Sequence, residues 1–304
     1  MAKIIFEQLL REWWERVLLR GNEAYAHESW RRLEREVLPK LGEKDPKKIT
    51  PPMILAILRR IEGRGTYAKA RKIKSHISQA MRYGIACGVV VSDPTRDISY
   101  ALTRYKSTPR AAITEPREIG ELMKRIEGYR YRQRRLSLKL AALTFARAGE
   151  IMGAEWSEIE WEAALWRIPA ERMKMKRPHL VPLASQTLDV LRELKARTGK
   201  YRWLFPSRWD RSQHEQAGVL THALRSMGYD RKTICAHGFR AMAATSLSDM
   251  GWPSEVIERQ LAHIDQNRVR AAYQRSELME DRRKMMQAWA DFLDLKCAHA
   301  ILKR

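Results

Sequence analysis

A histidine and an arginine three residues apart, His237 and Arg240, open the stretch "AHGFRAMAAT", which runs from Ala236 to Thr245. Small residues follow, so two polar cationic groups stand at the head of an alanine-rich helix. That placement suits a phosphate, because a guanidinium offers forked donors to anionic oxygens. A basic chain produces such a pair by chance as well, so its weight depends on company. Arg147 follows the apolar run "LKLAALTFA" and precedes Gly149-Glu150. Lys174 sits in the basic centre of "LWRIPAERMKMKRPHLVPL". His263 follows "SEVIERQLA", and Tyr273 lies in "RAAYQRS". Singly, each has a structural explanation: an Arg147–Glu150 pair, a solvated turn lysine, a helix cap and a core tyrosine.

The elements that must position these groups are mostly helical. Phe6, Leu9, Leu10, Trp13, Trp14 and Val17 recur at helical spacing. "AHESWRRLEREVLPKLG" reads as a second helix stopped at Pro39 and Gly42. In "TPPMILAILRRIEGRG" Thr50 is placed to cap, the prolines open the helix and Gly63 closes it. "TYAKARKIKSHISQAMRYGIACG" puts Ile73, Ile77, Met81 and Ile85 on one face, with Lys69, Lys72 and His76 on the rest. That polar face is either solvated or laid against nucleic-acid phosphates. From Arg104 to Glu118 the periodicity stops, and two prolines among small polar residues mark a linker. Thr114, Pro116 and Glu118 then signal a new helix. Beyond it a helix runs into Arg147. Next comes a β-hairpin, with Trp166 and Ile168 on one arm and Leu180, Val181 and Leu183 on the other. Helices follow to the end.

Composition narrows the partner. Lys plus Arg total 58 against 36 Asp plus Glu, a net +22. Such an excess implies an anionic partner, nucleic acid above all. The bases are spread over many elements, unlike the single polybasic anchor of a membrane-surface protein. The sequence has no run of eighteen apolar residues. Its start, "MAKIIFEQLLREWWERVLL", reads as an amphipathic helix and not as a secretory signal. Three scattered cysteines, Cys87, Cys235 and Cys297, fit a reducing cytosol. Cys235 and His237 lack a second ligand pair, and His214-Glu215 lacks the second histidine of a zinc helix, so no metal site is expected.

In order and spacing, "FARAGE", "RMKMKRPH", "HGFR", "QLAH" and "AAYQRS" resemble the catalytic motifs of the tyrosine recombinases, the phage-integrase family. The flanks "EWSEIEW", "HLVPL" and "RRKMMQAWADFL" resemble its genomic-island and satellite-phage branch. The resemblance spans about Phe6 to Leu295. It implies a mainly α fold with a small β-sheet. A helical core-type DNA-binding domain (1–105) and a linker (106–117) would precede an α+β catalytic domain (118–304). Members of the branch usually carry a further N-terminal arm-binding domain, and this sequence begins at the core-binding domain.

The implied reaction is transesterification at a DNA phosphodiester through a 3′-phosphotyrosyl bond. Tyr273 would be the nucleophile, with Arg147, Arg240 and His263 on the non-bridging oxygens. His237 would be the base and Lys174 the general acid, with no metal and no other cofactor. Lys176, two residues on, would share a strand face with Lys174, so the choice between them stays open. The implied partners are double-stranded attachment sites, a homotetramer on synapsed DNA, and accessory proteins that bend DNA or direct excision. The implied location is the cytoplasm, at the nucleoid. Family tails such as "RRKMMQAWADFL" pack on a neighbouring subunit; the alternative is a helix folded on its own domain. Two other functions fit the same charge: relaxation of DNA by a type IB topoisomerase-like enzyme, and a non-catalytic DNA-binding relative.

Overall fold

The computed structural model describes residues 4–105, 111–173, 175–263 and 278–302. They form two compact units, Met1–Thr108 and Pro109–Arg304.

In the first unit, α1 (Phe6–Trp13) buries Phe6, Leu9, Leu10 and Trp13 along one stripe. The chain then widens into a π-helical turn, Trp14–Leu18. The wider turn breaks the 3.6-residue phase. Val17, expected to continue the stripe, is therefore rotated out and is 50% exposed. Helix α2 (Glu23–Glu36) starts at Asn22, whose side chain accepts the Tyr25 N–H. Pro39 does not simply end that helix. It sits in the first turn of a separate short one, α3 (Leu38–Leu41), where its missing N–H costs nothing. Helix α4 (Pro51–Glu62) opens on two prolines, and Thr50 stands at its cap position without a side-chain capping bond. Helix α5 (Tyr67–Ala86) buries Ile73, Ile77 and Met81, while Ile85 in its last turn is 40% exposed. Helices α1 and α5 approach so closely at Gly84 that a Cβ there would lie 3.0 Å from the Leu9 side chain.

The polar face of α5 differs from expectation. His76 is fully buried, and its Nε2 shares a 2.9 Å hydrogen bond with the Tyr25 hydroxyl. Burial, helped by Lys72 and Arg32, pushes its pKa down to about 4. The ring is thus a neutral core residue and not part of an outward basic face. Lys69 is turned inward too, 2.5 Å from the buried Glu36 carboxylate. Lys72 stays on the exposed surface, its ammonium 5.0 Å from the Tyr25 ring centre.

In the second unit, α6 (Pro116–Glu127) and α7 (Arg132–Thr144) precede the one-turn helix α8 (Ala148–Met152). A three-stranded antiparallel sheet follows: β1 (Ile159–Glu160), β2 (Leu165–Ile168) and β3 (His179–Pro182). Trp166 faces Val181 and Ile168 faces His179 across the central pair, as the hairpin pattern predicts. The remaining regular elements among the described residues are helices: α9 (Ser185–Thr198), α10 (Gly218–Ser226), α11 (Gly238–Asp249), α12 (Ser254–Gln260) and α13 (Met279–Leu302). The fold is therefore mainly α with one small sheet.

The tail helix α13 packs on its own unit. Its Lys296 carbonyl lies so near Gly120 of α6 that a Cβ there would come within 2.4 Å. Lys124 donates to the Ala300 carbonyl at 2.7 Å, and the buried Trp289 indole donates to Ala142 at 2.8 Å. The described residues of the tail thus fold on their own unit.

Candidate active site

Arg240 is the centre of the site. It leaves the first turn of α11 with 4% of its surface exposed. Its Nη1 donates to the Phe145 carbonyl at 2.8 Å and its Nη2 to the Leu261 carbonyl at 2.5 Å. Nη2 also lies 3.4 Å from His263 Nε2. Burial, then the neighbouring Arg147, lowers its pKa to about 10, so it remains a cation at neutral pH. Among the described residues, none of its hydrogen-bond acceptors is a carboxylate.

One of the two carbonyls that hold it belongs to a left-handed residue and the other stands just before one. Phe145, which ends α7, has φ +40, and Ala262, which follows Leu261, has φ +50. Left-handed conformations cost a side-chain-bearing residue roughly 1–2 kcal/mol. Such strain concentrates where geometry serves function. Here the first bend turns the chain from α7 into Arg147, and the second turns it from α12 into His263.

Arg147 stands at the N-cap of α8. Its N–H donates to Glu150 Oε2 at 2.8 Å and its Nη1 to Glu150 Oε1 at 2.7 Å. The buried Glu150 fixes the arginine, whose side chain is still 26% exposed. Arg172, at the foot of the hairpin, bonds both the Glu150 carbonyl and the Glu158 carboxylate, tying α8 to the sheet. At the head of α11, Gly238 has a steric reason. A Cβ there would sit 2.6 Å from the Ala111 carbonyl. His237 lies exposed just before it.

His263 sits just past α12. Its N–H bonds the Glu258 carbonyl at 3.1 Å, while the Ala262 N–H bonds that of Arg259 at 3.1 Å. With left-handed Ala262 these form a Schellman closure, which folds His263 back over the helix. Its Nδ1 donates to Glu258 Oε2 at 2.6 Å. The end of α12 is also anchored from two other elements. Buried His179 of β3 donates from Nε2 to the Gln260 carbonyl at 3.1 Å. Arg282 of α13, fully buried, donates to Gln260 Oε1 at 3.0 and 2.7 Å and also bonds the Leu180 carbonyl. Burial beside Arg282 depresses the His179 pKa to about 3, so that ring stays neutral.

The structure thus gathers Arg147, Arg240 and His263, with His237 one helical turn before Arg240. Lys174 and Tyr273 lie outside the described residues. Lys176 is in a turn at φ +52, and β3 begins only at His179. The strand-face comparison of the two lysines therefore does not apply. Sequence reasoning passed over Glu258, Gln260, Arg282 and Arg172; the available signal was polar residues interrupting the apolar pattern of α12 and α13.

Two arginines and a histidine therefore stand close together where α8, α11 and the end of α12 meet. The phage integrase central domain matches residues 6–101, and the phage integrase family matches residues 113–279. The integrase of Enterobacteria phage P4 is 36% identical over 95% of this chain and 69% of its own length. The prophage integrase IntA of Escherichia coli K12 is 32% identical over 95% of this chain and 70% of its own. In fold, the chain is similar to lambda integrase in a dimer bound to a COC′ core site. That match has a TM-score of 0.70 at 19% identity and covers 87% of this chain and 97% of that one. A lambda integrase tetramer on a Holliday junction matches with a TM-score of 0.70 at 18% identity, covering 91% and 78%. Fold and sequence together define a site-specific recombinase of the tyrosine class. The chain belongs to the phage integrase family.

Proposed function

We propose that this recombinase cuts and rejoins double-stranded DNA at attachment sites through a 3′-phosphotyrosyl intermediate. The observation that carries this is Arg240: a buried cation held, among the described residues, by backbone carbonyls and facing His263, beside Arg147. Its charge is available to a ligand that brings its own negative charge, such as a phosphodiester. Arg147 and Arg240 hold the non-bridging oxygens and offset the charge that grows in the pentacoordinate transition state. His263 adds a donor there. Tyr273 attacks phosphorus as His237 takes its proton, and the P–O5′ bond breaks as Lys174 protonates the leaving oxygen. The ester retains the bond energy. A 5′-hydroxyl from a partner strand then attacks the phosphotyrosine and restores a phosphodiester, releasing the tyrosine.

In this scheme residues 1–105 form the core-type DNA-binding domain, 106–117 the linker and 118–304 the catalytic domain. Lys72 contributes to the DNA face of α5, four recombinase copies act on a synapsed pair of sites, and the enzyme works at the nucleoid with DNA-bending and excision-directing partners. The deciding experiment is a nicked suicide substrate. The wild-type chain should form a denaturant-resistant DNA adduct, and Tyr273→Phe should bind DNA without forming it. Adduct from the mutant would move the chemistry to another tyrosine. A plasmid carrying two candidate sites separates recombination, which makes new junctions, from relaxation alone.

A further inference from the structure

We infer that Glu258 is the positioning residue for His263: its carboxylate holds Nδ1–H and leaves Nε2 as the only ring atom turned toward Arg240. This rests on the catalytic assignment of His263 above and adds a residue to it. The backbone at the end of α12 settles where His263 starts. The Schellman closure bonds its N–H to the Glu258 carbonyl. It does not settle the ring, which still turns about two side-chain bonds. The 2.6 Å bond from Nδ1 to Glu258 Oε2 removes that freedom. It also fixes the tautomer, because a carboxylate accepts only from a protonated Nδ1. The other nitrogen, 3.4 Å from Arg240 Nη2, is then presented to whatever the guanidinium binds.

The pair lies on the open face of the unit, with the Glu258 side chain 55% and the His263 side chain 47% exposed. In water an ion pair so exposed contributes little to stability. Its value lies in orientation. For Nε2 to donate to a phosphate oxygen while Nδ1–H stays on Glu258, the ring carries both protons. Glu258 then supplies the opposite charge beside two arginines. Only a carboxylate, or an amide oxygen in its place, accepts Nδ1–H at that position.

The test is single-turnover cleavage of the suicide substrate with intact protein. Glu258→Ala should slow adduct formation roughly tenfold with DNA affinity unchanged, the scale of a lost orienting bond behind a working group. Glu258→Gln, which keeps an acceptor oxygen, should recover most of the rate. In a His263→Ala background, Glu258→Ala should lose most of its effect, because the route through the ring is gone and only its weaker field on Arg240 remains. The inference is overturned if Glu258→Ala cleaves within about twofold of wild type, if Gln fails to rescue, or if the double mutant is slower than His263→Ala by the full single-mutant factor. Failure of the wild-type chain to form adduct would instead overturn the catalytic reading.

Discussion

Two buried charges, one in each unit, are treated in opposite ways. Glu36 in the first unit is 2% exposed and is surrounded by cations. Arg64 donates to it at 2.7 Å and Lys69 at 2.5 Å, and Arg60 bonds its backbone carbonyl. Burial alone would raise its pKa, but the Lys69 and Arg64 bonds prevail and hold it at about 2. Arg240 in the second unit is equally buried but is held by neutral carbonyls. A charge neutralised inside the fold is structural, and its loss is felt as instability. A buried charge that no carboxylate among the described residues bonds is, in the function proposed above, the one left for a ligand.

The largest expected effect breaks the second half of that contrast. Arg240→Ala should lower the single-turnover adduct rate by about 10²–10³-fold, the usual cost of losing one preorganised donor. An adduct rate near wild type would mean that the buried cation serves the fold alone. Glu36→Ala tests the other half. It takes the acceptor from Lys69 and Arg64 and should destabilise the first unit by up to about 3 kcal/mol, read from hydrogen exchange of the α2 and α5 amides. Unchanged protection would make the cluster a surface feature.

Acid sharpens the same comparison. His76 has a folded pKa near 4 against 6.5 for the free group. The unfolded chain therefore binds the proton first, and first-unit stability falls as pH drops from about 6.5 to 4. The full effect is roughly 3 kcal/mol, at about 1.4 per pKa unit. Glu36 adds its own loss lower down, below about 4.5 and through about 2. His76→Gln should flatten the upper limb and leave the lower one, as followed by urea unfolding across pH. The smallest effect concerns the exposed surface. Lys72→Ala should reduce the log–log salt slope of DNA binding by about 0.9, one phosphate contact's share. An unchanged slope would take Lys72 off the DNA face.

Helices α1, α4 and α5, the β2–β3 hairpin and the grouping of "FARAGE", "HGFR" and "QLAH" were all legible in the chain, because periodicity and motif spacing are local properties. Side-chain accessibility was not. His76 reads as a member of a basic face until Tyr25, fifty-one residues away, supplies its hydrogen bond and the surrounding helices close over it. Val17 fits the apolar stripe until a π turn rotates it out. Gly238 looks like a neutral spacer until the Ala111 carbonyl approaches its Cα. Helix period also gives no reason to pair Glu258 with His263, five residues on. Their meeting follows from left-handed Ala262, which ends α12 and returns the chain over its last turn. Residue types and order thus set which chemistry was on offer. Burial, and the carbonyls and carboxylates that reach each charge from distant elements, decided whether that charge holds the fold or faces the substrate, because desolvation and ion pairing depend on neighbours that only the folded chain brings together.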